Sequence, residues 1–585
     1  MRVLLSALNA KYVHSNLAVH YLKEYARFSF DGEKEGLGRN GQEKAKIEIE
    51  IEEYTINQQF DEILRDIYLK RPDFIGFSCY IWNITMVKRL VVELKKVLPD
   101  TQLWLGGPEV SYNSVEMLTK YPQISGIIKG EGEVAFTKLL QGENLESIPG
   151  ITFRDEKGQI KDNLPSSPLE LDSLPFPYQD VKAFANRILY YESSRGCPFS
   201  CSYCLSSAEG QVRFRNLDKV KKELKTFIEK GVKRVKFVDR TFNCDGKRAR
   251  AIWKHIQEND NGKINFHFEI AADLLEEADF ELLSGLRQGL IQFEIGVQST
   301  NPLTLKEINR SMDYQRVARA IQRLKSFDNI HLHLDLIAGL PMEDIQSFAT
   351  SFNQVYGLKA QKLQLGFLKL LKGSHMEKRK KVYDLVTGEA PPYEVMATKW
   401  LSFYEILRFK SVEETLEIYY NSRQFLHSIN WLEKEFSSPF HLYEALGAFC
   451  SGNDYGASNH SREKRYEILL EFVRNLNLSD EKTEEFRQWL VFDYYLRENP
   501  KKRPAFAGEE SLSKEEVRKF YDKEMAQLKY LKGYQGGDRR KIRKMTHLER
   551  INGRVILFDY QEGKTWNREA KTYIYEVKLE EYFRN

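Results

Sequence analysis

The sequence predicts a multidomain α/β protein with three folded parts: a doubly wound, Rossmann-like parallel sheet, a partial (β/α)6 barrel of the TIM type, and a mostly helical C-terminal domain. Two separate series of strand-length apolar runs alternate with amphipathic helical stretches, and a proline-rich break separates the two series. An aromatic-rich, helix-like pattern follows the second series. The chain has 585 residues, 42% of them hydrophobic, which is enough for about three or four domains.

The first series covers residues 1–142. Each of its five strand-like runs is followed by a helix-like stretch, which is typical of parallel strands joined by helical crossovers. A charged insert at residues 31–46 interrupts the first crossover and is expected to be a surface loop. The predicted strands are 1–8, 46–54, 73–80, 102–107 and 124–130, and the predicted helices are 12–27, 58–70, 84–98, 114–120 and 133–140.

Residues 143–185 lose this alternation and are rich in proline, which predicts a linker that contains a hairpin at 151–160. The second series, residues 186–380, predicts the partial barrel, whose chemistry belongs at the carboxyl ends of its strands. Residues 381–585 are expected to form the C-terminal domain. Barrel strands are expected at 188–194, 234–239, 264–270, 291–297, 331–337 and 362–369; the C-terminal domain should contain helices at 393–408, 412–425 and 463–476 and a strand near 555–560.

Charge gives little reason to expect a nucleic-acid or membrane partner, because 88 basic and 84 acidic residues leave a net charge of +4. No apolar run has the length of a membrane span, and no signal peptide is recognisable, so we expect a cytoplasmic protein. Residues 501–550 are locally basic, with 15 basic and 8 acidic residues. This segment could contact RNA or another acidic substrate, or it could be a solvated helix face.

Three of the six cysteines, Cys197, Cys201 and Cys204, form a Cys-x3-Cys-x2-Cys triplet directly after the first barrel strand. Three thiolates at this spacing can hold a 4Fe-4S cluster and leave its fourth iron open. A structural zinc site is the alternative, but zinc normally needs a fourth ligand, and no further Cys or His follows at the usual spacing. A disulfide framework would not be spaced in this way.

This triplet and the strand ends that follow it resemble the radical S-adenosylmethionine (SAM) superfamily. The resemblance implies that the open iron binds SAM, and that an electron from flavodoxin or ferredoxin cleaves it to a 5'-deoxyadenosyl radical. The segment 237–243 departs from the usual Gly-Gly-Glu form of the family. The positions that match SAM-binding residues of the family are Tyr203, Asp239, Asn243, Glu269, Gln298, Ser299, Arg310, Gly339 and Leu340.

The strand ends of the first series resemble the cobalamin-binding domain that precedes the barrel in cobalamin-dependent members of this superfamily. The Asp-x-His-x-x-Gly signature of some cobalamin proteins is absent, so the lower face of cobalt would meet solvent or a side chain of residues 78–83. A cofactor-free docking sheet is the alternative. The resemblance implies that cobalamin contacts Asn9, Ser78, Tyr80, Trp82, Asn83, Gly106, Gly107, Pro108, Gly130, Glu131 and Gly132.

The leading functional hypothesis is a cobalamin-dependent methyltransferase that methylates an unactivated carbon of an unknown substrate. Radical cyclisation or rearrangement without methyl transfer is one alternative, and a non-catalytic cobalamin sensor or scaffold is another. Methylthiolation is disfavoured, because the related enzymes hold a second cluster on three N-terminal cysteines, whereas residues 1–142 contain only Cys79.

Overall fold

The computed structural model describes residues 1–32, 47–208, 210–456, 460–509, 512–534, 538–561 and 569–575. Most of the insert at 31–46 therefore lies outside the described residues, and its expected loop conformation stays a prediction. The chain divides into two compact units, residues 1–347 with 366–403 and residues 348–365 with 404–585. Each unit is described by itself.

The first unit begins with a seven-stranded sheet, in which five parallel strands are extended by an antiparallel hairpin. Apolar residues of the central strands are buried on both faces of the sheet, as parallel strands covered by helices require. The predicted strands and helices are confirmed within a few residues. In the order β2-β1-β3-β4-β5-β6-β7, the strands are β1 (Arg2–Asn9), β2 (Glu48–Thr55), β3 (Phe74–Ser78), β4 (Gln102–Gly106), β5 (Gly126–Ile128), β6 (Ile151–Arg154) and β7 (Ile160–Asp162); the helices are α1 (Leu17–Gly32), α2 (Phe60–Lys70), α3 (Ile84–Val97), α4 (Pro108–Ser111), α5 (Ser114–Lys120) and α6 (Glu133–Leu140).

A six-stranded sheet follows in the order β15-β14-β13-β12-β11-β8, which confirms the expected partial barrel. Strand β13 alternates regularly: its apolar side chains are buried, whereas every second residue faces the barrel interior and is only partly buried. The strands are β8 (Leu189–Tyr191), β9 (Ser194–Arg195), β10 (Arg213–Phe214), β11 (Arg234–Phe237), β12 (Asn265–Glu269), β13 (Ile291–Gln298), β14 (His331–Ala338) and β15 (Lys362–Phe367), with β9 and β10 in a separate ribbon; the helices are α7 (Leu217–Glu229), α8 (Gly246–Glu258), α9 (Glu277–Ser284), α10 (Pro302–Glu307), α11 (Tyr314–Ser326), α12 (Ile345–Gly357) and α13 (His375–Lys378).

The second unit is mainly helical, as expected, but the bounds of the helices predicted at 393–408 and 412–425 differ from the structure. Residues 393–402 contain a short strand rather than a helix, because Val395–Ala397 pairs with Val386–Thr387 in an antiparallel ribbon of the first unit. The two helices expected at 393–408 and 412–425 are instead one helix, Phe403–Leu416, which continues into a π-helical turn, Glu417–Asn421. Its buried positions form one continuous helical series, so nothing breaks the helix between residues 408 and 412.

The remaining elements of the chain are helices followed by a three-stranded antiparallel sheet. The helix predicted at 463–476 is confirmed as Arg462–Arg474, and the strand predicted near 555–560 is confirmed as Arg554–Asp559. The basic run of residues 539–545 is a short helix. Among the described residues, the helices lack the length and apolar composition that crossing a bilayer requires. The ribbon strands are β16 (Val386–Thr387) and β17 (Val395–Ala397), and the helix that follows them is α14 (Phe403–Leu416). The elements after α14 are α15 (Leu426–Leu432), α16 (Pro439–Gly452), α17 (Arg462–Arg474), α18 (Asp480–Arg497), α19 (Lys514–Gln527), α20 (Arg539–Met545), β18 (Thr546–Ile551), β19 (Arg554–Asp559) and β20 (Lys571–Tyr575).

Candidate functional site

The three clustered cysteines lie on the loop that leaves strand β9. Gly196 begins this loop with φ +99°, and a Cβ atom there would lie 2.9 Å from the carbonyl oxygen of Gln211, so only glycine fits. Cys201 is buried, Cys197 and Cys204 are half-buried, and all three are free thiols. The loop therefore presents three thiols, none of them in a disulfide, at the carboxyl ends of the barrel strands.

Backbone hydrogen bonds hold the cysteine loop on both sides. The amide of Ser202 donates to the carbonyl of Ile308 at 2.9 Å, and the carbonyl of Ser202 accepts from the amide of Met376 at 2.8 Å. The side-chain amide of Asn309 also donates to the carbonyl of Ser200 at 3.0 Å. These contacts fix the loop before any metal binds, as a preorganised site requires.

Arg310 links this loop to strand β13. Its Nη1 lies 3.6 Å from Sγ of Cys201 and 3.4 Å from the hydroxyl of Tyr203, and its Nη2 donates to the carbonyl of Gly296. Burial raises the pKa of Tyr203 well above its usual value, so the phenol stays protonated. Arg310 therefore places a guanidinium group beside one of the three candidate cluster ligands.

Several of the predicted SAM-binding residues are engaged within the protein. The buried carboxylate of Asp239 accepts hydrogen bonds from the amide and hydroxyl of Ser193 and from the hydroxyl of Ser194, at 2.6–2.9 Å. Asn243 pairs with both backbone groups of Ala271, at 2.8 and 2.9 Å. These two side chains hold the ends of β9 and β12 in place.

Two further residues of the predicted set are also buried. Ser299 donates to the carboxylate of Glu343 at 2.6 Å, and Leu340 is fully buried in the core. For both of them, as for Asp239 and Asn243, contact with SAM stays a prediction. Their observed role is to shape the strand ends.

Other predicted residues leave polar atoms available at the same edge. Gln298 ends β13 with φ +72°, and its Oε1 is buried with no hydrogen-bond partner among the described residues; the same holds for Nε of Arg310. Glu269, whose pKa is raised by burial, ends β12, and Gly339 turns out of β14 with φ +86°. Unpaired buried polar atoms are costly, so their grouping here fits a polar ligand.

In the first sheet, three predicted cobalamin-binding side chains shape the loops. Nδ2 of Asn9 donates to Glu53 at 2.7 Å, and the hydroxyl of Ser78 accepts from Asn16 at 3.0 Å. Asn83 is fully buried and donates to the carbonyls of Leu8 and Ser78. These contacts bring the ends of β1 and β3 together.

The remaining predicted residues form an open surface at the same strand ends. Tyr80 and Trp82 stack with ring centroids 4.5 Å apart, and Trp82 is 43% exposed. Gly107 has φ +109° and lies against the backbone of Cys79, and a Cβ at Gly130 would meet no atom within 4 Å. Gly106, Pro108 and Gly132 flank these positions at the starts of α4 and α6. Flat aromatic and glycine surfaces suit a large planar ligand.

Glu131 contacts the barrel rather than open space. Its carboxylate pairs with Arg213, lies 3.4 Å from Arg195, and accepts from the amide of Leu169 at 2.8 Å. Arg195 also pairs with Glu133 at 3.0 Å and with Glu192 at 2.9 Å. These ion pairs join the loop after β5 to the strand that leads into the cysteine loop.

Sequence reasoning did not single out Arg195 or Arg213. The available signal was the position of Arg195, directly before Gly196-Cys197, together with two glutamates in the glycine-rich loop after β5. A second missed contact joins the hydroxyl of Tyr393 to the buried carboxylate of Glu109 at 2.9 Å. No sequence pattern connects residues 284 positions apart, so this contact had no signal.

Comparison with known families assigns all three parts of the chain. The B12 binding domain model matches residues 4–140, and the Radical SAM superfamily model matches residues 191–355. The chain belongs to the radical SAM proteins that carry a B12-binding domain. A third model, a protein of unknown function (DUF4080), matches residues 381–575 of this radical SAM protein.

Curated relatives match part of this radical SAM protein. The cobalamin-dependent radical SAM methyltransferase TokK of Streptomyces tokunonensis is 25% identical over 299 residues, 47% of this chain and 44% of TokK. The anaerobic magnesium-protoporphyrin IX monomethyl ester cyclase of Synechocystis is 28% identical over 285 residues, 44% of this chain and 54% of the cyclase. The matches span about half the length of such relatives.

Solved structures support the same fold. The cobalamin-dependent SAM radical enzyme OxsB, solved with aqua-cobalamin and SAM bound, superposes with a TM-score of 0.55 at 15% identity, over 84% of this chain and 83% of OxsB. The two domain families imply a 4Fe-4S cluster, SAM and cobalamin as the cofactors. The three free thiols, the unpaired polar atoms of Gln298 and Arg310, and the open surface beside Trp82 fit these groups.

Proposed function

We propose that this protein is a cobalamin-dependent radical SAM enzyme that methylates an unactivated carbon. One observation carries the proposal: ion pairs of Arg195 with Glu131 and Glu133 hold the candidate cobalamin surface beside the cysteine loop. Methyl transfer at a radical centre needs both cofactors to face one substrate. When bound, the cluster supplies the electron that cleaves SAM, and cobalamin carries the methyl group.

The side chains of this chain would bind and orient the cofactors. Cys197, Cys201 and Cys204 would ligate three irons, with Arg310 beside Cys201 offsetting the negative charge of the thiolates. Gln298 and Glu269 would meet the polar groups of SAM, and the protonated Tyr203 would lie along its adenine. Trp82 and Gly107 would line the corrin, where no histidine of the usual signature is present in the sequence.

A second reaction is supported by the cyclase relative. Its identity to this chain is as high as that of the methyltransferase relative, so radical cyclisation or rearrangement without methyl transfer is the alternative within enzymes. The mass of the product separates the two reactions. A gain of one CH2 unit supports methylation, and an unchanged carbon count supports cyclisation or rearrangement.

We also propose a cytoplasmic location, with flavodoxin or ferredoxin as the electron donor, because an exposed iron–sulfur cluster needs a reducing compartment. The basic helix α20 (Arg539–Met545) and its flanks could bind RNA or another acidic substrate. Secretion of the folded protein would contradict the location. Salt-insensitive substrate binding would contradict the role of the basic segment.

The test is anaerobic reconstitution of the full chain with iron, sulfide and cobalamin, followed by a reductant and SAM. The wild type should form 5'-deoxyadenosine, and Cys201→Ala should form none and should retain less iron. Cys450→Ala is the matched control, because Cys450 lies in the second unit, and it should behave as the wild type does. A wild type with a full cluster and bound cobalamin that never cleaves SAM, with or without candidate substrates, would favour a cobalamin sensor or scaffold.

A further inference from the structure

The barrel interior contains a group of ionisable side chains below the strand ends of the SAM site. They come from the middle of three adjacent central strands, at positions that alternate with the apolar core residues. Glu294 precedes Gln298 by four residues, which is about 13 Å along a strand, so this group is separate from the cysteine loop. We call the group the lumen cluster: His267 on β12, Glu294 on β13, and His333 and Asp335 on β14.

Three donor atoms of the lumen cluster converge. One ligand atom from each of Glu294, His333 and Asp335 lies within 4.8 Å of the others. Nε2 of His267 is 2.9 Å from Oε2 of Glu294, and Nε2 of His333 is 3.1 Å from Oδ1 of Asp335. Ligands of a tetrahedral zinc ion with bonds near 2.05 Å are about 3.3 Å apart, so these spacings need little change to hold a metal.

Hydrogen bonding does not explain these short approaches. Nε2 of His333 and Oδ1 of Asp335 are buried, and neither forms a hydrogen bond of acceptable geometry with any described residue. The same is true of Nε2 of His267. Only 8% of the His333 side chain is exposed, so water does not substitute freely. Close, buried nitrogen and oxygen atoms without a shared hydrogen bond are the arrangement that a bridging cation satisfies.

The charges around the lumen cluster also favour a bound cation. Glu269, Glu294 and Asp335 bring three carboxylates, whereas Lys236 is the one ammonium group close to them, at 2.9 Å from Glu294 and 3.5 Å from Glu269 among the described residues. Carboxylates held this close repel one another, and a divalent cation between them would offset that repulsion.

We propose that the lumen cluster binds one divalent cation of the zinc class. Glu294, His333 and Asp335 offer one imidazole nitrogen and two carboxylate oxygens, which is a donor set that zinc accepts, and His267 lies beside Glu294. Lys236 then lies in the outer shell, where it orients the carboxylate of Glu294. The ion would tie β13 to β14 below the strand ends that carry Glu269 and Gln298.

The test uses the full chain with Cys197, Cys201 and Cys204 all changed to alanine, which removes the iron–sulfur site. After chelator treatment, Zn2+ is titrated with metal analysis of the dialysed protein, and Co2+ is titrated with visible absorption as the probe of tetrahedral geometry. We expect one ion per chain. His333→Ala and the isosteric Asp335→Asn should each weaken binding at least tenfold, and His331→Ala, on the same strand but outside the lumen cluster, should not.

The parent chain here is the one with the three cysteines changed to alanine. Zn2+ should also raise the thermal unfolding temperature of this parent but not that of Asp335→Asn, whose folding is checked by its circular dichroism. Equal stoichiometry and affinity in the parent, His333→Ala and Asp335→Asn would overturn the proposal. Failure of the parent to bind Zn2+ or Co2+ at micromolar concentrations would overturn it too. Neither result depends on cobalamin, SAM or catalysis, so the test is independent of the proposed function.

Discussion

The guanidinium group of Arg195 donates to the carboxylate of Glu133 at 3.0 Å, and 85–92% of both side chains is buried. Arg195 ends the strand that leads into the cysteine loop, and Glu133 begins the helix after the glycine-rich loop of the first sheet. One ion pair thus fixes the separation between the two candidate cofactor sites. The same guanidinium faces Glu131 and Glu192, so it is the centre of a small network.

Replacing Arg195 should therefore destabilise the first unit. Arg195→Gln leaves up to three partly buried carboxylates without their shared cation, and loss of one partner of a buried pair costs about 3–5 kcal/mol. Anaerobic urea denaturation should show this loss, and cobalamin retention should fall with it. Arg234→Gln, at an exposed position that begins β11, is the control and should change stability by less than about 0.5 kcal/mol. Equal stability of both variants would contradict the network.

The cysteines should differ in reactivity in the cluster-free chain. Cys79 is fully buried, and burial raises the pKa of its thiol to about 12, so almost no thiolate is present at pH 8. Cys197 and Cys204 are half-buried and should react with iodoacetamide, which peptide mass spectrometry would locate. Labelling of Cys79 at the same rate as Cys197 in the folded protein would contradict the structure. Denatured protein, in which all six thiols react, is the control.

Gly107 should not tolerate a side chain. Its φ is +109°, and a Cβ atom would lie 2.6 Å from the carbonyl oxygen of Cys79, so Gly107→Ala adds a backbone clash to conformational strain of about 1–3 kcal/mol. Gly142→Ala is the control, because φ is also positive there, at +75°, but a Cβ atom would meet open space. We expect a lower unfolding temperature for Gly107→Ala than for Gly142→Ala, and weaker cobalamin binding by spectral titration. Wild-type cobalamin affinity in Gly107→Ala would remove Gly107 from the proposed site.

The sequence was sufficient for the order of strands and helices in the first unit, because both series have strong apolar periodicity and turn residues between elements. It was also sufficient to place the cysteine loop at a strand end. It could not distinguish side chains that face a ligand from those that hold a loop. Asp239 and Asn243 match ligand positions in a linear pattern, but their partners, Ser193 and Ala271, are brought near only by the barrel.

Long-range contacts account for the other differences between the predictions from the sequence and the structure. The local pattern of residues 393–402 predicts helix, but pairing with residues 386–387 outweighs this weak preference and makes Val395–Ala397 a strand. The lumen cluster was invisible for a similar reason: its four residues come from three strands and share no sequence motif. Only the strand register, which places His267 beside Gln292 and Glu294 beside His333, brings them together.

The pH dependence of stability should depend measurably on Asp239. Burial raises the pKa of this carboxyl to about 6 from an unfolded value of 3.8, despite three hydrogen bonds that favour the charged form. A raised pKa in the folded state means that Asp239 contributes its full stability below about pH 4. That contribution is lost as the pH rises through 6, where burial of the ionised carboxylate opposes folding. Two pKa units correspond to about 3 kcal/mol.

The asparagine of Asp239→Asn has nearly the same shape as the aspartate and does not titrate. Subtracting the variant's free energy of unfolding from that of the wild type therefore isolates the contribution of Asp239 from those of the other carboxyls. This difference in the free energy of unfolding should fall by about 3 kcal/mol between pH 4 and pH 7. Urea denaturation of the cluster-free chain at a series of pH values measures it, and Asp155→Asn, at a hairpin turn, should give a much smaller change. A difference that stays constant across this range would mean that Asp239 titrates alike in the folded and unfolded chains, and its burial behind Ser193 and Ser194 would then have no electrostatic cost.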